Sequence, residues 1–298
     1  MIVNYPRMKR RVKGWPDDLD TALEFSSANP FSISAPKKWD GKLKYTNGSG
    51  WKTWDGSTIA SGEIENHHCI YLRGIGNSKI TGVNSSNAKW NIIGTNIACN
   101  GDIDLLLDYS TVKSGNRPTL ADRCYAYMFW DCTSLTTAPS LPATTLKTNC
   151  YNSMFQGCTS LTTAPSLPAT TLANNCYYYM FYGCTSLTTA PSLPATTLAN
   201  NCYYSMFQGC TSLTTVPSLP ATTLANNCYN SMFYLCTKIK LSTTASGTYT
   251  KSYRIPKNGT GTTASGALVY MFGNTGGTFN GAPKINTTYY LDESNTIV

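Results

Sequence analysis

The sequence predicts an α/β solenoid with a 26-residue period, preceded by a small antiparallel β-domain, and three observations carry that prediction. Cys124, Cys150, Cys176, Cys202 and Cys228 recur at a constant step of 26 residues. Met128, Met154, Met180, Met206 and Met232 keep the same step, and a fixed period of roughly 20–50 residues marks stacked repeats. Residues 20 to 100 do not repeat; there "LKYTNGSGWKTW" alternates apolar and polar side chains around Asn-Gly, the pattern of a β-hairpin.

Four segments follow along the chain: a basic arm (1–19), a β-sandwich-like domain (20–118), the repeats (119–241) and a divergent capping repeat (242–298). The arm carries Arg7, Lys9, Arg10, Arg11 and Lys13, much of a net charge of +8. Without aromatic residues interleaved among these cations, the arm suits an acidic protein surface better than nucleic acid. The segment "DIDLLLDY" at 102–109 reads as the apolar link from the β-domain to the first repeat.

Counting the first Cys of each copy as offset 0, Cys 0, Tyr 1, Met 4, Phe 5 and Cys 8 are the same in five copies. On a helix of 3.6 residues per turn these offsets share one face, predicting a two-turn amphipathic helix with Cys, Met and Phe inward. The invariant tyrosines, Tyr125 through Tyr229, are expected to pack with their hydroxyls reaching the rim. Offsets 2, 3 and 6 vary between copies and are expected to face solvent. They include Tyr127, Trp130, Tyr178, Tyr179, Tyr182, Tyr204 and Tyr234. The following "TSLTTAPSLP" reads as a short strand and an extended turn, because its prolines cannot donate to a ladder. A sixth, degraded copy ends the series. Met271 and Phe272 repeat the Met-Phe pair 39 residues after Met232, an insertion of half a period over "STTASGTYTKSYR".

The stretch "GCTSLTTAPSLPATTLANNCYYYMF" resembles the BspA-like leucine-rich repeats of Bacteroides-type surface proteins and the phages of such hosts. The resemblance covers about 120 to 241 and the degraded copy to 291, and it departs in the Ala-Pro-Ser-Leu-Pro strand, which is longer than the usual form. It implies a right-handed solenoid with a parallel sheet on one side and a role in adhesion or ligand binding. The Trp51 and Trp54 hairpin and "YLRGIGN" are similar to the β-sandwich that precedes such repeats in related proteins.

Little in the chain suggests catalysis. The only two histidines, His67 and His68, are consecutive with Cys69, and consecutive strand residues face opposite sides, so the three cannot grip one metal ion. Asp102, Asp104 and Asp108 lack the glycine and terminal glutamate of a calcium loop and read as capping or solvated carboxylates. Gly74 and Gly76 lack the lysine of a phosphate loop and read as a strand-end turn. Neither a metal nor another cofactor is expected. In each repeat the two cysteines stand about 12 Å apart on the expected helix, too far for a bridge, and read as small buried hydrophobes. Cys69 and Cys99 remain free to bridge within the β-domain.

Charged residues are 13% of the chain, and between Cys132 and Thr237 the only one is Lys147. That composition suits an extracellular or virion surface. The start lacks the apolar run and cleavage site of a secretory signal, and no segment is apolar enough to span a membrane as a helix. The expectation is a non-enzymatic phage virion surface protein, a fibre or decoration, released by lysis. The arm, Arg7 to Lys13, would attach it to other virion proteins, and the outward aromatics would meet host-surface glycan or protein, with a threonine ladder (Thr137, Thr163, Thr189 and Thr215) as the competing face. A bacterial cell-surface or secreted adhesin, a purely structural decoration and a homo-oligomer remain alternatives.

Overall fold

A computed structural model describes residues 13–36, 39, 41–81 and 88–298, and the fold is rich in β-sheet with few helices. The N-terminal strands are β1 (Leu23–Ser27), β2 (Ser32–Ser34), β3 (Leu43–Thr46), β4 (Lys52–Trp54), β5 (Ile59–Ala60), β6 (Gly62–Ile64), β7 (His67–Gly74), β8 (Asn91–Ile93) and β9 (Ile97–Asn100). A helix, α1 (Leu105–Lys113), follows, and β10 (Leu135–Thr137) belongs to the first repeat. One sheet runs β10-β9-β1-β7-β3-β4, with β6 beside β7, and a second runs β5-β2-β8. The hairpin read from Asn-Gly is present, with Leu43 opposite Trp54 and Tyr45 opposite Lys52. Alternation buries Leu23, Phe25 and Ser27 of β1. The buried rings of this region meet one another, Trp54 against Trp90 at 5.4 Å and Phe25 against Trp90 at 6.4 Å.

No boundary in the core separates these sheets from the repeats. β9 pairs in parallel with β10, and Phe25 touches Phe129 of the first copy at 6.2 Å. The amides of Ile80 and Trp90 donate to the carbonyls of Cys124 and Met128, and those of Ile97 and Ile103 to Ser134 and Ser140. The sheets of this region thus lie directly against the first copy's end of the core. Gly74 ends β7 where α1 comes closest: a Cβ there would stand 1.7 Å from the carbonyl oxygen of Leu106. The segment 102–109 is therefore largely the buried first turn of α1, Leu105, Leu106 and Leu107.

The expected helix in each copy is absent, and this is the main correction to the sequence reading. Residues 120–241 contain no helix. Instead φ turns positive at every fourth residue: in the third copy at Asn175 (57°), Tyr179 (55°) and Gly183 (71°), and at the equivalent places in every copy through Gly266, Tyr270 and Asn274. An α-helix allows no such residue. The amides divide their bonding. Those of Tyr177, Tyr179 and Phe181 donate to Cys202, Tyr204 and Met206 in the next copy, while those between them, Tyr178, Met180 and Tyr182, close three-residue turns onto Asn175, Tyr177 and Tyr179. With half its amides taken by a neighbour, the segment cannot form a helical ladder. A turn repeating every four residues puts offsets 0, 4 and 8 on one side just as a helix does, which is why the spacing misled.

The inward columns stack from copy to copy. Phe129, Phe155, Phe181, Phe207, Phe233 and Phe272 lie 5.3 to 5.7 Å apart with planes within 9°. The tyrosines from Tyr125 to Tyr229 stack at 5.5 to 5.8 Å. These tyrosines are buried entirely, hydroxyls included, rather than reaching the rim. Each fully buried phenylalanine contributes about 1.5–3 kcal/mol. All twelve cysteines are buried free thiols, and the second column also donates: Cys158, Cys184, Cys210 and Cys236 give their thiol protons to the Phe carbonyl of the preceding copy at 2.9–3.1 Å. Cys69 and Cys99 do not bridge. Cys69 pairs with Ser26 and Cys99 with Phe25, adjacent residues of β1, so the two thiols point to opposite faces of the sheet.

Past the first copy, where β10 forms, the expected strand is reduced to pairs: β11 (Thr215–Val216) and isolated parallel bridges such as Thr163 to Thr189 and Thr145 to Thr171. At the C-terminal end β12 (Leu241–Ser242), β13 (Tyr249–Arg254) and β14 (Thr288–Asp292) form an antiparallel sheet, and β15 (Thr296–Ile297) pairs with β11. The degraded copy keeps the bonding frame, with Tyr229, Ser231 and Phe233 donating to Ala267, Val269 and Met271. The half-period insertion becomes β12 and β13, and Tyr253 of β13 stands edge-on to Phe272, closing the phenylalanine column.

Candidate ligand-binding surface

The sites of positive φ also form the wall that carries the variable aromatics. Tyr127, Tyr179 and Tyr270 hold offset 3, with φ of 61°, 55° and 52°. All seven sequence-chosen aromatics are half-buried rather than fully exposed, because they pack on one another. Tyr178 stacks on Tyr204 at 4.8 Å and meets Tyr179 at 4.3 Å, and Tyr179 meets Tyr182 at 5.3 Å and Tyr204 at 5.7 Å. Tyr127 and Trp130 form a separate pair at 6.2 Å, with the Lys89 ammonium 5.3 Å above the indole. Asn152, Ser153 and Gln156 of the second copy interrupt the strip between the two groups. Not every variable position is outward, since Ala126, Asn152, Ser153 and Ser205 are buried.

Tyr234 belongs to a third group that sequence reasoning only half found. It meets Tyr270 of the degraded copy at 6.4 Å and accepts a hydrogen bond from Asn274 Nδ2 at 2.9 Å. Tyr270 is 63% exposed, the most open of the large hydrophobic side chains here. The signal existed: aligning Met271 with the other methionines places residue 270 at the offset of Tyr179. Between Tyr179 and Tyr204 on one side and Tyr234 and Tyr270 on the other lies an open groove of ≈ 440 Å³, also lined by Ser205, Gln208 and Ser231. Burial holds the hydroxyls of Tyr178 and Tyr204 above the usual tyrosine range, with the neighbouring Tyr179 adding to both. Both are neutral donors at physiological pH.

The other predicted sites sort plainly. Of the arm, Arg7, Lys9, Arg10 and Arg11 lie outside the described residues, and Lys13 is exposed. Of the threonine ladder, Thr137, Thr163 and Thr189 are exposed, but Thr215, in β11 beside β15, is buried. Along β7 His67 is exposed, His68 half-buried and Cys69 buried, and no metal-competent cluster of His, Cys, Asp or Glu occurs among the described residues. Among those residues no helix is long and apolar enough to cross a membrane.

Asp108 caps α1's second half, accepting from the Ser110 and Thr111 amides. Asp102 pairs with Arg117. Asp104 departs from the solvated reading: it is fully buried and accepts the Tyr125 hydroxyl at 2.7 Å, at the head of the tyrosine column. Burial pushes its carboxyl up to about 6, the Tyr125 hydrogen bond opposing and the Asp102 carboxylate adding. Burial likewise raises the column thiols, Cys176 and Cys228 to about 12, which leaves them protonated and unreactive. No protein-family model matches the chain, and neither a curated protein nor a solved structure matches it.

Proposed function

We propose that residues 119–241 wind as a solenoid of BspA-like leucine-rich repeats, and that the chain is a non-enzymatic phage virion surface protein displaying that solenoid to host-surface glycan or protein. The winding is supported by the hydrogen-bond frame that recurs from copy to copy and by the stacked columns. The recognition role rests on one observation: aromatic side chains cluster on a wall that bears no charged residue from 148 to 237. Such a wall offers flat apolar area with hydroxyls at its edge, a combination suited to sugar rings or to the core of a protein interface. The basic arm attaches the chain to an acidic surface on the particle.

Binding of the purified chain to intact host-type cells and to their extracted surface polysaccharide tests this, alongside a variant with Tyr178→Ala, Tyr179→Ala and Tyr182→Ala. Saturable binding lost in the triple variant is the expected result. The same lack of charge also suits burial against neighbouring subunits, the decoration reading, which no binding by either protein would favour.

A further inference from the structure

Resting on the display reading above, we propose that the groove formed by Tyr179, Tyr204, Tyr234 and Tyr270 is a subsite for an uncharged glycan. Its volume of ≈ 440 Å³ lies in the lower part of the small-molecule range and holds about one or two sugar rings. Seven residues line it, against the roughly 20–30 that a stable protein interface holds on each side.

Three features select the occupant. The first is charge. No Asp, Glu, Lys or Arg occurs between residues 148 and 237, and none is among the groove's lining residues. An acidic glycan would leave its water here without gaining a counter-charge. The second is the alternation of rings with Ser205, Gln208 and Ser231. Aromatic faces suit the C–H faces of a pyranose, and the Gln208 amide both donates to and accepts from vicinal hydroxyls. The third is the backbone. An extended peptide binds by adding a strand to open amides, but the amides of Tyr179, Ser205 and Ser231 already donate to Tyr204, Asn230 and Val269. Those of Gln208 and Tyr234 close local turns. These five are spent, so a peptide finds no open amides to pair with along Tyr179, Ser205, Gln208, Ser231 and Tyr234.

The groove is also held in place. Asn274 fixes the Tyr234 hydroxyl, and Tyr204 is braced by its stack on Tyr178. Little side-chain entropy remains to be lost on binding.

Calorimetric titration of the full chain with neutral hexasaccharides of glucose, mannose, galactose and N-acetylglucosamine tests the assignment. A heparin hexasaccharide and an uncharged octapeptide complete the panel. Saturable binding of at least one neutral sugar is expected, weakened about tenfold by Tyr270→Ala. Gln208→Leu weakens it as well, and Ile93→Ser, an exposed side chain of β8 that does not line the groove, leaves it unchanged. Tyr270 is largely exposed, so its loss leaves the fold intact, and equal melting temperatures confirm that. Binding of heparin or peptide alone, no binding of any neutral sugar, or neutral binding indifferent to Tyr270→Ala and Gln208→Leu each overturns the assignment. Cell binding on the same preparations separates the two readings. Cell binding retained by both groove variants overturns the sugar groove and leaves display standing, whereas no cell binding by the unaltered chain overturns display.

Discussion

At the junction between the second and third copies, the turn wall sends five amides forward, from Asn149, Tyr151, Ser153, Phe155 and Gly157. The threonine wall sends one back, from Thr188 to Thr162, and adds the Thr188 hydroxyl to the same carbonyl. On the turn wall backbone amides and the inward columns join copy to copy, so the outward side chains can vary without breaking the frame. On the threonine wall side-chain hydroxyls take part in the joining, as Thr214 does toward Thr188, and threonine persists from copy to copy. Fixity on the threonine wall therefore reports structure, and variation on the turn wall reports freedom. That contrast favours the aromatic strip over the threonine ladder as the binding face.

The largest effect that can break this contrast lies beneath the turn wall. Phe181→Ala interrupts a stacked column at its centre and is expected to cost about 3–5 kcal/mol, read as the loss in urea-unfolding free energy. A loss below about 1 kcal/mol would mean that the columns do not hold the copies together.

Next in size is the head of the tyrosine column. Asp104 has a folded-state pKa of about 6 against about 3.9 unfolded. The folded protein therefore binds the extra proton. The contribution of this group is fully present below pH 4 and is lost as pH rises through about 6, amounting to about 2–3 kcal/mol. Asp104→Asn keeps an acceptor for Tyr125 without the charge, so its stability relative to the unaltered chain should climb by about that much between pH 4 and pH 7. A flat difference across that window would place the Asp104 carboxyl in water.

The columns were legible because burial fixes chemistry at a constant step: Cys, Met and Phe repeat where the core needs them. The turn geometry was written there too, in a subtler form. Asn149, Asn175, Asn201 and Asn227 occupy one positive-φ position and Gly157, Gly183 and Gly209 another, and these are the residue types that tolerate it. Apolar spacing alone could not separate a period of four from one of 3.6, so the wall read as a helix. The joining of the β-domain to the first copy was invisible for a different reason. Ile80, Trp90 and Ile97 bond to the first copy through backbone amides, which any sequence supplies, so they need not share the repeat's sequence. The aromatic strip was found by variation between copies, and its groove was missed because it needs Tyr270 from a copy displaced by half a period.

The smallest effect sharpens the turn geometry itself. Leu235 sits at φ 62° where three sister copies have glycine, and it is 41% exposed. Leu235→Gly relieves a left-handed side chain and should raise stability by about 1 kcal/mol, read as a higher melting temperature. A drop instead would show that Leu235 packs usefully at the surface.

The separation of folding from recognition is tested most directly by writing one copy's outward residues into another. Tyr178→Asn, Tyr179→Ser and Tyr182→Gln give the third copy the residues that the second already carries at these offsets, Asn152, Ser153 and Gln156. Thermal unfolding and host-surface binding measured on the same sample decide the matter. A melting temperature close to that of the unaltered chain, with binding lost, is the predicted result. Unfolding as severe as that of Phe181→Ala would contradict it, because the aromatic strip would then belong to the fold rather than to a ligand.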